Sequence, residues 1–326
     1  MVDTRDSKSR DSNIMRVQVP PSAPEREKGW KTASRPFFYC QKIDNQPLMD
    51  YTRGVVHRIF FKMAAKVIGF VNQKGGVGKT TSTINVARYL AEAGKKVLLV
   101  DLDPQGNASS GLGIDARRLE KNLYHAMILG LPAQEIILRT ETEGLHIIPA
   151  AQDLAGAEIE MVHIENREFR LHGVLRQIRP YYDYVLIDSP PSLGLLTING
   201  LVASDEVVIP VQTEYYALEG LSQLLGTIEL VREHLQPNLK IGGALLTLYD
   251  RRNRLARQVV SEVRAHFPGP VFENVIPRSV RLAEAPSFGK SILDFDAFSK
   301  GARAYKGVVR EILAREEEEK KKLKVL

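Results

Sequence analysis

The densest chemistry in the chain lies in Lys74-Gly75-Gly76-Val77-Gly78-Lys79-Thr80-Thr81. This segment follows the apolar run Val67-Ile68-Gly69-Phe70-Val71 and opens a stretch with helical periodicity over about residues 78 to 93. In such a strand–turn–helix setting, glycines let successive backbone N–H groups curl around a phosphate, and the helix N-terminus adds its positive dipole. Lys79 brings a point charge for β- and γ-phosphates, and Thr80 a hydroxyl for Mg²⁺. The pattern departs from G-x-x-x-x-G-K-[ST] at one place, because Gln73 stands where the first glycine belongs. An ordinary glycine-rich turn has no need of Lys79-Thr80 at that offset.

Asp188 closes a second apolar run, Tyr184-Val185-Leu186-Ile187, ahead of Ser189-Pro190-Pro191. A carboxylate at the C-terminal edge of a strand beside a phosphate loop can hold Mg²⁺ through water. The alternative for a lone Asp after a strand is a turn or helix cap. Asp101 and Asp103 close a third run, Val97-Leu98-Leu99-Val100, and continue into Pro104-Gln105-Gly106-Asn107.

The elements that must position these groups alternate along the chain. Strands are predicted at 67–71, 97–100, 145–149, 184–188, 207–211, 241–248 and, short, at 271–276. Helices are predicted at 78–93 with Gly94 as cap, 153–178, onward from the 207–211 strand to about His234, 254–266 and 300–318. Near-continuous apolar strands separated by helices imply an α/β fold, a single P-loop NTPase domain with a mostly parallel sheet covered by helices on both faces. Its expected bounds are residues 63–318, followed by a charged C-terminal tail at 319–326.

Residues 1 to 62 lack sustained periodicity, carry scattered charge and five prolines, and read as a disordered leader. Neither a secretory signal nor a transit peptide fits them. Met63 precedes Ala64-Ala65-Lys66 and the first strand, and Met15–Pro24 back-translates into a string laid out like a transfer-RNA T-arm and 3′ end. The expected start is therefore Met63, with residues 1 to 62 an over-extended gene reading; a genuine flexible tail is the alternative. The leader holds +5 of the net charge of +6, so the basic balance is weak ground for nucleic-acid binding by the folded part. One cysteine, Cys40, excludes an internal disulfide framework or a metal site built from several cysteines of one chain. Cysteine usage points to reducing cytoplasm, and no apolar stretch approaches the ~18 residues of a membrane span.

With its extra Lys74, the phosphate loop resembles the deviant Walker A motif of the ParA/MinD family of P-loop ATPases. The resemblance covers about residues 63 to 318. It continues through Asp101–Asn107, Val185–Leu201, Val211–Gly220 and Val275–Lys290, the last two blocks being similar to chromosomal ParA proteins, also called Soj. It implies ATP and Mg²⁺ as ligands and an ATP-dependent homodimer in which Lys74 reaches the partner's nucleotide. It also implies Asp103 as the residue that positions attacking water, with Asp188 and Thr80 on the metal. Sequence-nonspecific double-stranded DNA and a ParB-like protein that stimulates hydrolysis are the implied partners, and the nucleoid the implied place.

Between Asp250 and Lys290, eight Lys/Arg face four acids. From charge alone this is equally an ordinary solvated face; the resemblance points to DNA, with Arg252 and Arg281 at matching positions and Arg251 beside them. Pro277 and Ser279 fall where the family contacts adenine, but Ser279 replaces a common asparagine and has the shorter reach. Three rivals share the scaffold; one, a metabolic or electron-transfer enzyme, needs cysteine ligands from each subunit or a substrate-pocket motif of its own, and neither is seen. A MinD-like membrane ATPase needs a C-terminal amphipathic helix, which the tail with its run Glu316–Glu319 does not offer. A relative that positions another cargo differs only in its partner.

Overall fold

The computed structural model describes residues 65–214 and 219–325. The proposed leader, the Met63 start, Cys40 and residues Tyr215–Leu218 of the fourth matching block lie outside the described residues.

The strands and helices in chain order are β1 (Lys66–Phe70), α1 (Lys79–Glu92), β2 (Val97–Asp101), α2 (Asn107–Gly111), α3 (Leu123–Met127), β3 (Leu138–Arg139), β4 (Leu145–Ile148), α4 (Leu154–Glu160) and α5 (Arg170–Arg176). They continue with β5 (Tyr184–Asp188), α6 (Leu195–Ala203), β6 (Glu206–Gln212), α7 (Glu219–His234), β7 (Lys240–Thr247), α8 (Arg254–His266), α9 (Val280–Glu284), α10 (Ile292–Asp296) and α11 (Lys300–Val325). The sheet runs β3-β4-β2-β5-β1-β6-β7. Every neighbouring pair is parallel except the two-residue edge strand β3, which lies antiparallel to β4. The sequence gives no periodic signal over so short a strand.

Side-chain alternation sorts the central strands onto two faces. Ile68, Phe70, Val97, Leu99, Tyr184 and Leu186 pack with α1 residues Ile84, Ala87 and Leu90 and α11 residues Tyr305, Val308 and Ile312. Val67, Leu98, Val100, Val185 and Ile187 pack on the other face with Leu123, Leu154, Leu171 and Leu175. Burial on both faces is why β2 and β5 read as unbroken apolar runs. α1 ends as its sequence predicts. Gly94 adopts φ 78, its N–H donates to Ala91 and that of Lys95 to Leu90, the two bonds of a Schellman cap.

Three expectations are corrected. The helix predicted over 153–178 is broken between α4 and α5, where Asn166 takes φ 54. Asn199 of α6 holds the break, accepting from Leu171 N–H at 3.1 Å and donating to the Arg167 carbonyl at 2.9 Å. The strand predicted at 271–276 is reduced to isolated bridges at Ala244–Val271 and Tyr249–Pro277. Between them the Glu273 and Asn274 N–H groups turn away from β7 and donate to the Glu311 carboxylate of α11, each at 2.9 Å. The last helix does not stop near 318 but continues to Val325, with Glu319 near Lys66 at 3.6 Å and Lys240 at 3.8 Å.

Candidate active site

The carboxyl ends of β1, β2 and β5 meet at one edge of the sheet, with Asp188 registered against Phe70 on one side and Asp101 on the other. That edge is where open α/β sheets bind ligands. From it the phosphate loop rises between β1 and α1. Gly76 and Gly78 take φ 72 and 87, conformations that cost most residues about 1–2 kcal/mol and glycine none. Two side chains absent from the sequence reading brace the loop. Asn72 donates to the Pro210 carbonyl at 2.7 Å and accepts from Lys74 N–H at 2.9 Å, and Thr247 of β7 donates to the Val77 carbonyl at 2.7 Å. Neither belongs to a local motif, because both act across the sheet.

Lys79 is buried at the base of the loop, its ammonium 3.2 Å from the Lys74 carbonyl. Burial holds its pKa below the ordinary lysine value, against the opposing pull of the Asp188 and Asp103 carboxylates. Asp188 is fully buried and pushed up to about 7 by desolvation, while hydroxyls of Thr80 and Thr83 and the Lys79 charge act the other way. Thr83 donates to its Oδ1 at 3.2 Å, whereas Oδ2 is buried with no partner. An unpartnered buried carboxylate oxygen is costly unless a cation or its water completes it. The donor set of Thr80 hydroxyl and Asp188 carboxylate therefore fits Mg²⁺, a hard cation that keeps several waters.

Asp101 and Asp103 divide their tasks. Asp101 Oδ2 accepts from Ser109 N–H at 2.8 Å and Ser109 Oγ at 2.7 Å, pinning α2 to the sheet. Burial and then the neighbouring Asp188 charge push it up to about 8. Asp103, two residues on, accepts from Gln105 N–H at 3.0 Å and faces the loop across a cavity of about 490 Å³.

That cavity gathers most of the predicted residues. Gly75, Gly76, Gly78, Lys79, Thr80, Thr81 and Asp103 line it together with Pro277 and Ser279. Ser279 stands at the start of α9, and its hydroxyl caps no helix N–H. Val77 is buried behind the loop, Asp188 sits beneath Thr80 and Thr83, and half-buried Lys74 lies outside the lining. Asn107, at the end of the Asp101–Asn107 segment, lines the cavity too, as do Ser110 and Tyr305, which no sequence motif marked.

The candidate DNA arginines are exposed and partly paired. Arg252 chelates Asp250 through contacts of 3.1 and 2.9 Å, which hold the carboxyl at about 2. Arg281 lies 3.3 Å from Glu284 and 3.7 Å from Asp296. Arg251 is exposed, and its carbonyl accepts from Arg257 at 3.1 Å. The segments bearing them are tied side by side, since Tyr249 bridges Pro277 and its carbonyl accepts from Arg278 N–H at 3.0 Å. Among the described residues, no helix is long and apolar enough to cross a membrane.

Comparison with known proteins agrees with this geometry. Residues 65–241 match the AAA domain family. The chain is 53% identical over 251 residues to the chromosome partitioning protein ParA of Myxococcus xanthus, covering 77% of this chain and 89% of the relative. It is 54% identical over 249 residues to the sporulation initiation inhibitor protein Soj of Bacillus subtilis, covering 76% and 98%. Among solved structures, a cobyrinic acid a,c-diamide synthase from Mycobacterium smegmatis with bound ADP and magnesium superposes with TM-score 0.70 at 38% identity, covering 78% of this chain and 96% of that one. A plasmid partition protein from Borrelia burgdorferi bound to AMPPNP gives TM-score 0.66 at 25% identity, covering 77% and 99%. The chain belongs to the ParA/Soj family of P-loop proteins; it is an ATPase that uses ATP and Mg²⁺.

Proposed function

We propose that this ParA/Soj-family ATPase is a partitioning switch: it dimerises on ATP, binds double-stranded DNA without sequence preference as a dimer, and leaves DNA when a ParB-like partner stimulates hydrolysis. The observation that carries the reading is the bridge between Tyr249 and the Pro277–Arg278 strand end. It ties the cavity wall at Pro277 and Ser279 to the segment that leads into Arg251 and Arg252, with Arg281 two residues beyond Ser279. A change in that wall on nucleotide binding reaches the basic face without any intervening element.

Backbone N–H groups of Gly75 to Thr81 cradle the phosphates, with Lys79 on their charge and Pro277 and Ser279 beside the base. Thr80 and Asp188 would hold Mg²⁺, which when bound would supply positive charge against the phosphates. Lys74, outside its own cavity, completes the partner's site. Asp103 orients the water for in-line attack. In the dimer two arginine faces act together, and each neutralised phosphate steepens log K against log salt by about 0.9. Nucleotide state thereby sets residence on nucleoid DNA in the cytoplasm with no base readout. The diamide synthase neighbour suggests a ligase instead, but its 38% identity stands against 53 and 54% for the partitioning relatives.

The test titrates the full chain with random-sequence duplex DNA under ATP, ADP or no nucleotide at two salt concentrations, with anionic liposomes in parallel. Salt-sensitive DNA binding with ATP alone is expected. Liposome binding without DNA binding would move the protein to a MinD-like membrane role.

A further inference from the structure

We infer that Tyr305 is a positioning residue of the ATPase site, acting through Ser82 to fix the start of α1 against α11. Tyr305 is 1% exposed, and a buried phenol needs a hydrogen-bond partner. It finds one in Ser82 Oγ at 3.0 Å, itself fully buried. The Ser82 N–H donates to the Gly78 carbonyl at 2.9 Å and so closes the helical turn that presents Thr80 and Thr81 to the phosphates. Apolar packing leaves helices free to slide by small amounts, whereas a hydrogen bond is directional. Among the described residues, Tyr305–Ser82 is the one side-chain hydrogen bond between α11 and α1.

The same helix fixes the opposite side of the cavity. Gly301 lies under Leu282, where an added Cβ would stand 2.7 Å from Leu282 Cγ. Glu311, on the same helix, holds the Glu273 and Asn274 N–H groups ahead of Pro277. Tyr305 itself contributes to the wall between Leu282 and the phosphate loop. α11 thus gauges the distance between the phosphate cradle and the wall at Pro277 and Ser279, and the Tyr305 hydroxyl is its contact with the cradle. This role rests on the ATPase activity alone and not on DNA binding or dimerisation.

The test is a double-mutant cycle on the full chain, with Tyr305→Phe, Ser82→Ala and the pair. Each is assayed for steady-state ATP hydrolysis without DNA, for affinity toward a fluorescent ATP analogue, and for melting temperature. Loss of one neutral hydrogen bond that aligns the cradle is expected to raise KM and the analogue's Kd roughly three- to tenfold, with kcat held within about twofold. The pair should be no worse than either single change, because both remove one interaction. A KM equal to wild type in Tyr305→Phe, whatever happens to its melting temperature, overturns the inference. So do additive effects of the two changes, which would place the hydroxyls in separate roles. If Tyr305→Phe does not fold, Ser82→Ala gives the same readout from the other end of the bond, and an unchanged KM there overturns it equally.

Discussion

The Lys79 ammonium donates to the backbone carbonyl of Lys74 at 3.2 Å, so one lysine of the loop is spent on holding the other's main chain. The bond ties the loop's main chain to its base, and the Lys74 side chain lies outside the cavity lining. Lys79→Ala removes both this brace and the buried cation facing Asp188 and Asp103. A charge-assisted hydrogen bond contributes about 1.5–3 kcal/mol, so ATP affinity is expected to fall by one to two orders of magnitude. Equilibrium titration with a fluorescent ATP analogue reads this directly. Near wild-type affinity would mean that the backbone cradle alone carries binding.

Asp188 tests the choice between a metal ligand and a cap. Its Oδ2 is buried without a partner, so the carboxylate strains the metal-free protein. Asp188→Asn is expected to keep or raise the melting temperature without nucleotide. It should also lose most of the further rise given by Mg²⁺–ATP, whose binding stabilises the unaltered protein by about 2.7 kcal/mol at a hundredfold excess over Kd. Thermal melts with and without Mg²⁺–ATP separate the two. A variant that is destabilised before any ligand is added would show that the carboxylate is a structural cap.

Asp103→Ala should leave ATP binding intact and slow hydrolysis by a factor on the order of 10²–10⁴, the range for a positioned group acting on the attacking water. Single-turnover phosphate release measures it. Asp101→Ala should behave differently, losing stability first, because Asp101 is committed to Ser109 through bonds of 2.8 and 2.7 Å. If both variants lost turnover without losing stability, the division between the two carboxylates would be wrong.

The loop, the strand ends and the six parallel strands were legible because they are local, whereas short helices such as α2, α3 and α6 left no periodic signal. A glycine-rich turn between an apolar run and a helical period needs only neighbours in sequence, and Asp101, Asp103 and Asp188 stand at the ends of such runs. What escaped depends on long-range partners. The 271–276 segment has strand residues, yet Glu311 takes its backbone donors. Residues 153–178 have helical periodicity, yet Asn199 holds a reversal in their midst. Thr247 and Tyr305 serve the site from other elements and match no motif, and Asn72, within the loop, matters through its bond across the sheet to Pro210.

Gly289 is another such long-range requirement. It takes φ 64, and an added Cβ would stand 2.7 Å from Gly113 Cα, a backbone atom that cannot step aside. The contact joins the loop after α2 to the turn after Pro286, both of them near the cavity. Gly289→Ala adds left-handed strain to overpacking, and is expected to destabilise by about 2 to 4 kcal/mol. Urea unfolding followed by circular dichroism gives the value. A loss within about 0.5 kcal/mol would show that the two loops separate without penalty.

The Asp250–Arg252 pair sets the direction of a test on the basic face. Arg252 is exposed and Asp250 half-buried, and the carboxylate competes with a phosphate for the guanidinium. Asp250→Asn weakens that competitor, so nonspecific DNA affinity with ATP should rise, while ATP affinity stays unchanged because neither residue lines the cavity. Arg252→Glu combined with Arg281→Glu should act oppositely. Removing two phosphate contacts from each protomer, four per dimer, should lower the slope of log K against log salt by about 3.6 and abolish detectable binding at physiological salt. ATP-dependent association should survive, as sedimentation with ATP would show. The comparison of slopes is the decisive quantity, because a misfolded variant loses binding at every salt concentration and gives no slope at all. A double variant that binds DNA with the wild-type slope would place the DNA face elsewhere on the molecule.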